Sequence, residues 1–376
     1  MGVKSSRRTL GEEFQILQNV CNPELPSREE VLRALSGVSD PELGRDVVSL
    51  HMVDDVTVVG GDVSLTLNLT TPACPLRSRL EESVRTAVSN LPGVKKVDMK
   101  TTSNVSATRD FSGSEVLRGV KNIIAVASGK GGVGKSTIAV NLAVGLAASG
   151  AKVGLLDADI YGPNIPHMMG LSGEAEMKEG VIMPVVAFGV RVASLGFFYK
   201  DETPLIWRGP LVAGAVRQLI TQVEWGDLDY LVVDLPPSTG DAPLTLAQTV
   251  PLGGVVIVTT PQEAALNIAS KALAMFRRVN VPILGIVENM SYFICPHCGE
   301  RTYVFSTGGG RKAAAQLNVD FLGEIPLDIL VREQSDLGIP VVVAKPDSPQ
   351  AAVFKDLAFR VAGMVSIVAY SKMEKA

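Results

Sequence analysis

Short apolar runs punctuate most of this chain at intervals that a helix would fill. From residue 121 onward they fall at 123–127, 153–156, 190–195, 230–233, 254–259, 283–287 and 319–323. Continuous Val, Ile and Leu runs of this length suit strands covered on both faces, as in a parallel sheet. Their alternation with helical stretches predicts a doubly wound, mostly parallel α/β domain over 119–370. Ligands then belong at the carboxyl ends of its strands.

The first hundred residues read differently. Residues 62–70 alternate, with Val63, Leu65, Leu67 and Leu69 on one side and Ser64, Thr66, Asn68 and Thr70 on the other. That is the pattern of a half-buried strand. Ser27 is placed to cap a helix ending near Gly37, with Glu29 and Glu30 in its first turn. A turn-rich loop from Asp40 to Asp46, a helix from about Pro75 to Leu91 and a strand near 94–102 complete an α-β-β-α-β order. The prediction is a small α+β domain over 27–102, behind a polar lead-in of 1–26. A linker follows at 103–118, rich in Ser, Asn, Thr and Gly and without periodicity.

Composition narrows the class. With 376 residues, 46% of them hydrophobic, the chain has material for two cores. Its 35 Lys and Arg against 39 Asp and Glu leave a net charge of -4, which argues against a nucleic-acid partner held by a basic face. No apolar run reaches the roughly 18 residues of a membrane span. The start, Met1-Gly2-Val3-Lys4-Ser5-Ser6-Arg7-Arg8, has charge but no apolar stretch behind it, unlike a secretory signal. Gly2 and Ser6 fit the loose myristoylation pattern, as does any disordered polar start. Four cysteines, Cys21, Cys74, Cys295 and Cys298, are too few for a disulfide framework. They suit a reducing compartment, taken here as the cytoplasm.

The chemistry begins at Gly129-Lys130-Gly131-Gly132-Val133-Gly134-Lys135-Ser136-Thr137. Gly-x4-Gly-Lys-Ser is the Walker A pattern, and it stands where it must, after an apolar run and before an apolar helix. Its glycines let backbone N–H groups turn onto phosphate oxygens, and the helix N-terminus adds its positive end. Lys135 is expected at the β- and γ-phosphates of ATP, Ser136 on Mg²⁺ and Thr137 near the α-phosphate. Asp234 closes the run 230–233 at the Walker B place, in support of Mg²⁺. Asp157 and Asp159 close the run 153–156, although turn formation before Gly162-Pro163 also favours Asp. Asn289, after the run 283–287, carries both the donor and the acceptor that the N6/N7 edge of adenine requires.

Cys295-Pro296-His297-Cys298-Gly299 leaves three chemistries open. A thioredoxin-type pair wants to open a helix in a different α/β fold. A structural zinc needs four ligands, so a second chain or His297 would have to contribute. A [4Fe–4S] cluster takes four thiolates, two from each of two chains.

The second lysine, Lys130, resembles the early lysine of the deviant Walker A shared by the MinD, ParA and nitrogenase-reductase ATPases. The resemblance implies a dimer in which Lys130 crosses to the partner's nucleotide and meets transition-state charge, as an arginine finger does. It makes Asp157-Ala158-Asp159-Ile160-Tyr161-Gly162-Pro163 a first switch, with Asp159 orienting the attacking water and Asp157 supporting Mg²⁺ through water. Pro236-Pro237-Ser238-Thr239-Gly240-Asp241 becomes a second switch, with Ser238 where Gly is more usual. Asn289 becomes the adenine reader.

Together with Trp207-Arg208-Gly209-Pro210, Asp234-Leu235-Pro236-Pro237 and the cysteine pair, these segments resemble the Mrp/ApbC iron–sulfur cluster carriers over about 115–365. Asp40-Pro41-Glu42 and Thr71-Pro72-Ala73-Cys74-Pro75 resemble the SufT-like iron–sulfur assembly domain, where Cys74 is either a cluster-handling thiol or a structural one. The resemblance implies a Mg²⁺-dependent ATPase and homodimer holding a [4Fe–4S] cluster on Cys295 and Cys298 of both chains. It would serve apo iron–sulfur proteins, be loaded by an assembly scaffold, and need neither nucleic acid nor membrane. The competing implication is a ParA/MinD-like positioning ATPase on DNA or membrane. That needs a basic surface or a basic C-terminal helix, and residues 353–376 carry few positive charges.

Overall fold

Ser27 opens the first helix as its neighbours dictate. In the computed structural model its Oγ accepts the Glu30 N–H and the Glu30 carboxylate accepts the Ser27 N–H, a capping box. The structure describes residues 25–108, 117, 119–159, 162–178, 180–198, 209–237, 241–262 and 265–373. Outside the described residues lie Gly2, Ser6 and Cys21, residues 109–116 and 118 of the expected linker, Ile160-Tyr161, Trp207-Arg208 and Ser238-Thr239-Gly240. The chain divides by contacts into two compact units, Met1–Leu69 with Leu76–Ser103, and Thr70–Pro75 with Asn104–Ala376.

The first unit runs α1 (Arg28–Leu35), a short pair β1 (Ser39–Asp40) and β2 (Arg45–Asp46), β3 (Val53–Val59), β4 (Asp62–Leu69), α2 (Arg77–Ser89) and β5 (Lys96–Ser103). β4 lies centrally, antiparallel to β3 and parallel to β5. Its alternation is realised: Val63, Leu65, Leu67 and Leu69 are buried. Val31 and Leu35 of α1 and Leu80, Val84 and Val88 of α2 are buried as well. In the predicted turn, Asp40 is buried and its Oδ1 accepts the N–H groups of Glu42 and Leu43.

The second unit opens with β6 (Val120–Ser128), α3 (Lys135–Ala148), β7 (Val153–Asp157), the short α4 (Ile165–Met168), a two-residue pair β8 (Met177–Lys178) and β9 (Val181–Ile182), β10 (Val185–Ala187) and β11 (Val190–Ser194). It continues through α5 (Gly209–Gln222), β12 (Leu228–Asp234), α6 (Asp241–Thr249), β13 (Gly254–Thr259), α7 (Ala265–Arg278) and β14 (Ile283–Glu288). A small pair β15 (Phe293–Ile294) and β16 (Arg301–Thr302) precedes α8 (Gly309–Leu317), β17 (Phe321–Glu324), α9 (Ile329–Asp336), α10 (Val341–Ala344) and α11 (Pro349–Met373).

Eight strands form one sheet in the order β10-β11-β7-β12-β6-β13-β14-β17. All seven predicted runs lie in it, parallel to their neighbours. The eighth strand, β10, adds an antiparallel edge. Successive residues of β6 point to opposite faces and both faces are covered. Ile124 and Val126 join Ile138, Leu142 and Phe354 in one core, whereas Ile123 and Ala125 join Leu219, Leu273 and Phe276 in the other. That explains the unbroken apolar runs.

The described start of the expected linker is not free chain. Val105 is buried in the core of the second unit, and Asn122 holds both the Thr108 N–H and the Ser106 carbonyl. Among the described residues no helix is long and apolar enough to cross a membrane.

Candidate functional site

β6 and α3 are joined by the glycine-rich segment at the carboxyl edge of the sheet. α3 starts on Gly134, which has φ +80° and offers no side-chain cap. The first amides of a helix need acceptors from elsewhere, and an anion supplies them best. Glycine is required at 134 twice over. Its backbone is left-handed, and a Cβ would run into the Asn289 amide. At Gly129 a Cβ would collide with the Ile268 side chain.

A cleft of about 480 Å³ opens over this segment. It is lined by Lys130, Lys135, Ser136 and Thr137, by the glycines at 131, 132 and 134, and by Asp159 and Asn289. Met290, Leu327 and Val331 make an apolar wall. Val133 is buried.

Two carboxylates stand behind the cleft on neighbouring strand ends, where Asp234 and Asp157 are register partners. Asp234 is fully buried, and its oxygens are taken by Lys135 Nζ at 2.6 Å and Ser136 Oγ at 2.6 Å. Burial raises its carboxyl above the usual range, against the pull of Lys135 and Ser136. Lys135 also lies 3.6 Å from Asp159 Oδ2.

Asp157 faces protein instead. It accepts from the Asp159 N–H (3.1 Å), the Ile165 N–H (3.3 Å) and Ser194 Oγ (3.0 Å), and so braces the turn that carries Asp159. Burial, aided by the Asp234 charge, pushes its carboxyl up to about 8, although Ser194 and Lys135 pull the other way. Ser194 escapes the sequence reading because it is merely the polar end of an apolar run.

Lys130 is also held. Its Nζ donates to Gln262 Oε1 at 2.6 Å, in the turn after β13. No local pattern singles out Gln262. Asn289 is buried, and its Nδ2 donates to the Val133 carbonyl at 2.8 Å. The expected base reader thus touches the phosphate segment directly.

The cysteine pair sits on the turn between β15 and β16. The Cys295 N–H donates to the Glu300 carbonyl at 2.9 Å, and Gly299, at φ +73°, returns its N–H to the Cys295 carbonyl at 2.8 Å. Cys298 is exposed and Cys295 half-buried, both as free thiols. The backbone N–H groups of Cys298 and His297 hold the Cys295 thiol below its usual value, which favours the metal-binding thiolate. A hairpin of two-residue strands is weak alone. Here the Arg301 guanidinium lies 3.5 Å over the Tyr292 ring and pairs with Glu324 at 2.9 Å. Among the described residues no three His, Cys, Asp or Glu side chains are grouped to hold a metal ion. His297 therefore does not complete a set, and the buried Cys74 does not join one.

A family model described as the NUBPL iron-transfer P-loop NTPase matches residues 119–362. The chain belongs to this family. A second model, of an iron–sulfur cluster assembly protein, matches residues 28–99 of this NUBPL-family chain. The resemblance read from the motifs is therefore borne out. The iron-sulfur cluster carrier protein of Synechocystis is 52% identical over 91% of this chain and 98% of its own. Among solved structures, the Archaeoglobus fulgidus nucleotide-binding protein in complex with ADP is 46% identical, covers 60% of this chain and 89% of its own, and has a TM-score of 0.54. The cell division ATPase MinD of Pyrococcus furiosus, 24% identical, shares the fold over 64% of this chain and 98% of its own with a TM-score of 0.50.

Proposed function

We propose that this chain is an ATP-hydrolysing homodimer of the cytoplasm that carries a [4Fe–4S] cluster and hands it to apo iron–sulfur proteins, after loading from an assembly scaffold. The observation that carries the reading is the thiol pair at the β15–β16 turn, in the same unit as the phosphate segment. Cys295 and Cys298 are half of a four-thiolate set, and a second copy supplies the other half. The name of the Synechocystis relative supports the cargo, and the ADP of the Archaeoglobus relative supports the nucleotide.

The residues divide the work as follows. Loop amides from Gly129 to Thr137 and the start of α3 bind the phosphates. Lys135 exchanges Asp234 for the β- and γ-phosphate oxygens. Ser136 and Asp234, with Asp157 behind them through water, would be the all-oxygen set that holds a hard cation. Magnesium, when bound there, neutralises phosphate charge. Asp159 orients the attacking water, Asn289 reads the adenine edge, and Lys130 leaves Gln262 to reach the partner's nucleotide. Hydrolysis alters the dimer and with it the exposure of the cluster, two sites coupled through one equilibrium.

The test is cluster transfer from the reconstituted protein to an apo-acceptor, with and without ATP, in wild type and Lys135→Ala. ATP-dependent transfer in the wild type alone is expected. ATP-dependent co-sedimentation with liposomes or DNA, without cluster transfer, would replace this reading with that of a positioning ATPase.

A further inference from the structure

Glu288 ends β14 with no exposed surface, and among the described residues no cation pairs with it. A buried carboxylate stays only where donors meet it. Its donors are Ser291 Oγ, on Oε1, and the Gly310 N–H, on Oε2. These stand at the two feet of the excursion that bears Cys295 and Cys298. Ser291 leads out into β15, and Gly310 belongs to the first turn of α8, where the chain returns after β16. A Cβ on Gly310 would lie 2.9 Å from the Glu288 Cβ, so glycine admits the contact. α8 has Gly308 as its N-cap and no side-chain cap of its own. The Glu288 carboxylate therefore faces the positive end of that helix.

Each foot also touches a partner of the phosphate segment. Next to Glu288, Asn289 donates to the Val133 carbonyl. On the return side, Gly309 lies so close to the Pro261 carbonyl that a Cβ would collide with it. That turn presents Gln262 to Lys130. The outgoing leg is pinned by the Leu327 N–H on the Tyr292 carbonyl at 2.7 Å and by Arg301 over the Tyr292 ring.

We infer that Glu288 is a positioning residue, a clasp that joins both feet of the cysteine excursion and transmits nucleotide binding to Cys295 and Cys298. The inference rests on the cleft being the nucleotide site, as in the proposed function, but not on the identity of the cargo. A carboxylate suits the task because two donors need two acceptors. Glutamine offers one and sets an NH₂ against the other donor.

The test is hydrogen–deuterium exchange on the full-length, metal-free chain with and without saturating MgADP, with MgADP binding measured on the same samples by calorimetry. MgADP should slow exchange over residues 291–308 about fivefold or more in the wild type, the low end of typical site-to-site coupling. Ser291→Ala should lose at least half of that response, Ser291→Thr should keep it, and Glu288→Gln should abolish it. If Glu288→Gln does not fold, the two Ser291 variants decide. MgADP that does not bind the wild type sinks the proposed function. MgADP that binds while residues 291–308 do not respond overturns the clasp, as does a response of wild-type size in Ser291→Ala or in folded Glu288→Gln.

Discussion

Lys135 Nζ lies 2.6 Å from Asp234 Oδ1, with 6% and 1% of the two side chains exposed. Removing one member of such a buried pair strands the other. Asp234→Ala is therefore expected to destabilise the chain by about 3–5 kcal/mol, towards the lower end because Asp159 stays near Lys135. The double variant Lys135→Met, Asp234→Leu should recover most of the loss, because two apolar side chains need no partner. Urea melts of the singles and the double measure this. Additive losses would show that the pair is not coupled.

Gly134 and Gly150 separate backbone strain from collision. Both have left-handed φ, +80° and +99°, but a Cβ meets the Asn289 amide at 134 and open space at 150. Gly150→Ala should lose about 1–2 kcal/mol from strain alone. Gly134→Ala should lose a further 1–3 kcal/mol or so from overpacking. In an Asn289→Ala background, which already gives up the Asn289–Val133 hydrogen bond, Gly134→Ala should cost only the strain, as read by thermal or chemical denaturation.

Asp157 predicts a pH slope. Its carboxyl ionises near 4 in an unfolded chain and is pushed up to about 8 when folded. Between those values the folded state holds the extra proton, so stability falls as pH rises. The stabilisation is complete below pH 4 and lost as pH passes through about 8. Denaturation of the chain without added nucleotide, from pH 5 to pH 8, should show this decline in the wild type. Asp157→Asn should make it shallower, leaving the part that the buried Asp234 carboxyl contributes, and an equal slope in both proteins would contradict the assignment.

The thiols should differ in reactivity. The amides of His297 and Cys298 hold Cys295 below its usual value, whereas Cys74 is buried. Alkylation followed by peptide mass spectrometry should find Cys295 modified fastest at pH 7 and Cys74 slowest. A Cys74 that matches Cys295 would contradict the burial on which this order depends.

Much of the fold is legible because it is local. The unbroken runs 123–127 and 230–233 are strands covered on both faces, and the alternation at 62–70 is a strand covered on one. Ser27 and Glu30 close a capping box that three residues of spacing announce. β10 is missed because three residues on an edge, with Val186 exposed between two half-buried neighbours, are too few to carry a period. The phosphate segment and the cysteine pair are visible as motifs, since their chemistry depends on spacing along the chain. Their supports are not. Ser194 reaches Asp157 from 37 residues away, Gln262 reaches Lys130 from 132, and Glu288 closes on Gly310 from 22. Such contacts are set by the order of strands in the sheet, which no window of sequence displays.

The central claim is that two copies of this chain share one cluster through Cys295 and Cys298. Anaerobic reconstitution with iron and sulfide, followed by native mass spectrometry of wild type and Cys298→Ser, tests it most directly. The account predicts a wild-type dimer heavier by one [4Fe–4S] cluster, and a Cys298→Ser chain that melts like wild type but takes up no cluster. A monomer holding zinc, or a wild-type dimer that takes up no iron, would contradict it.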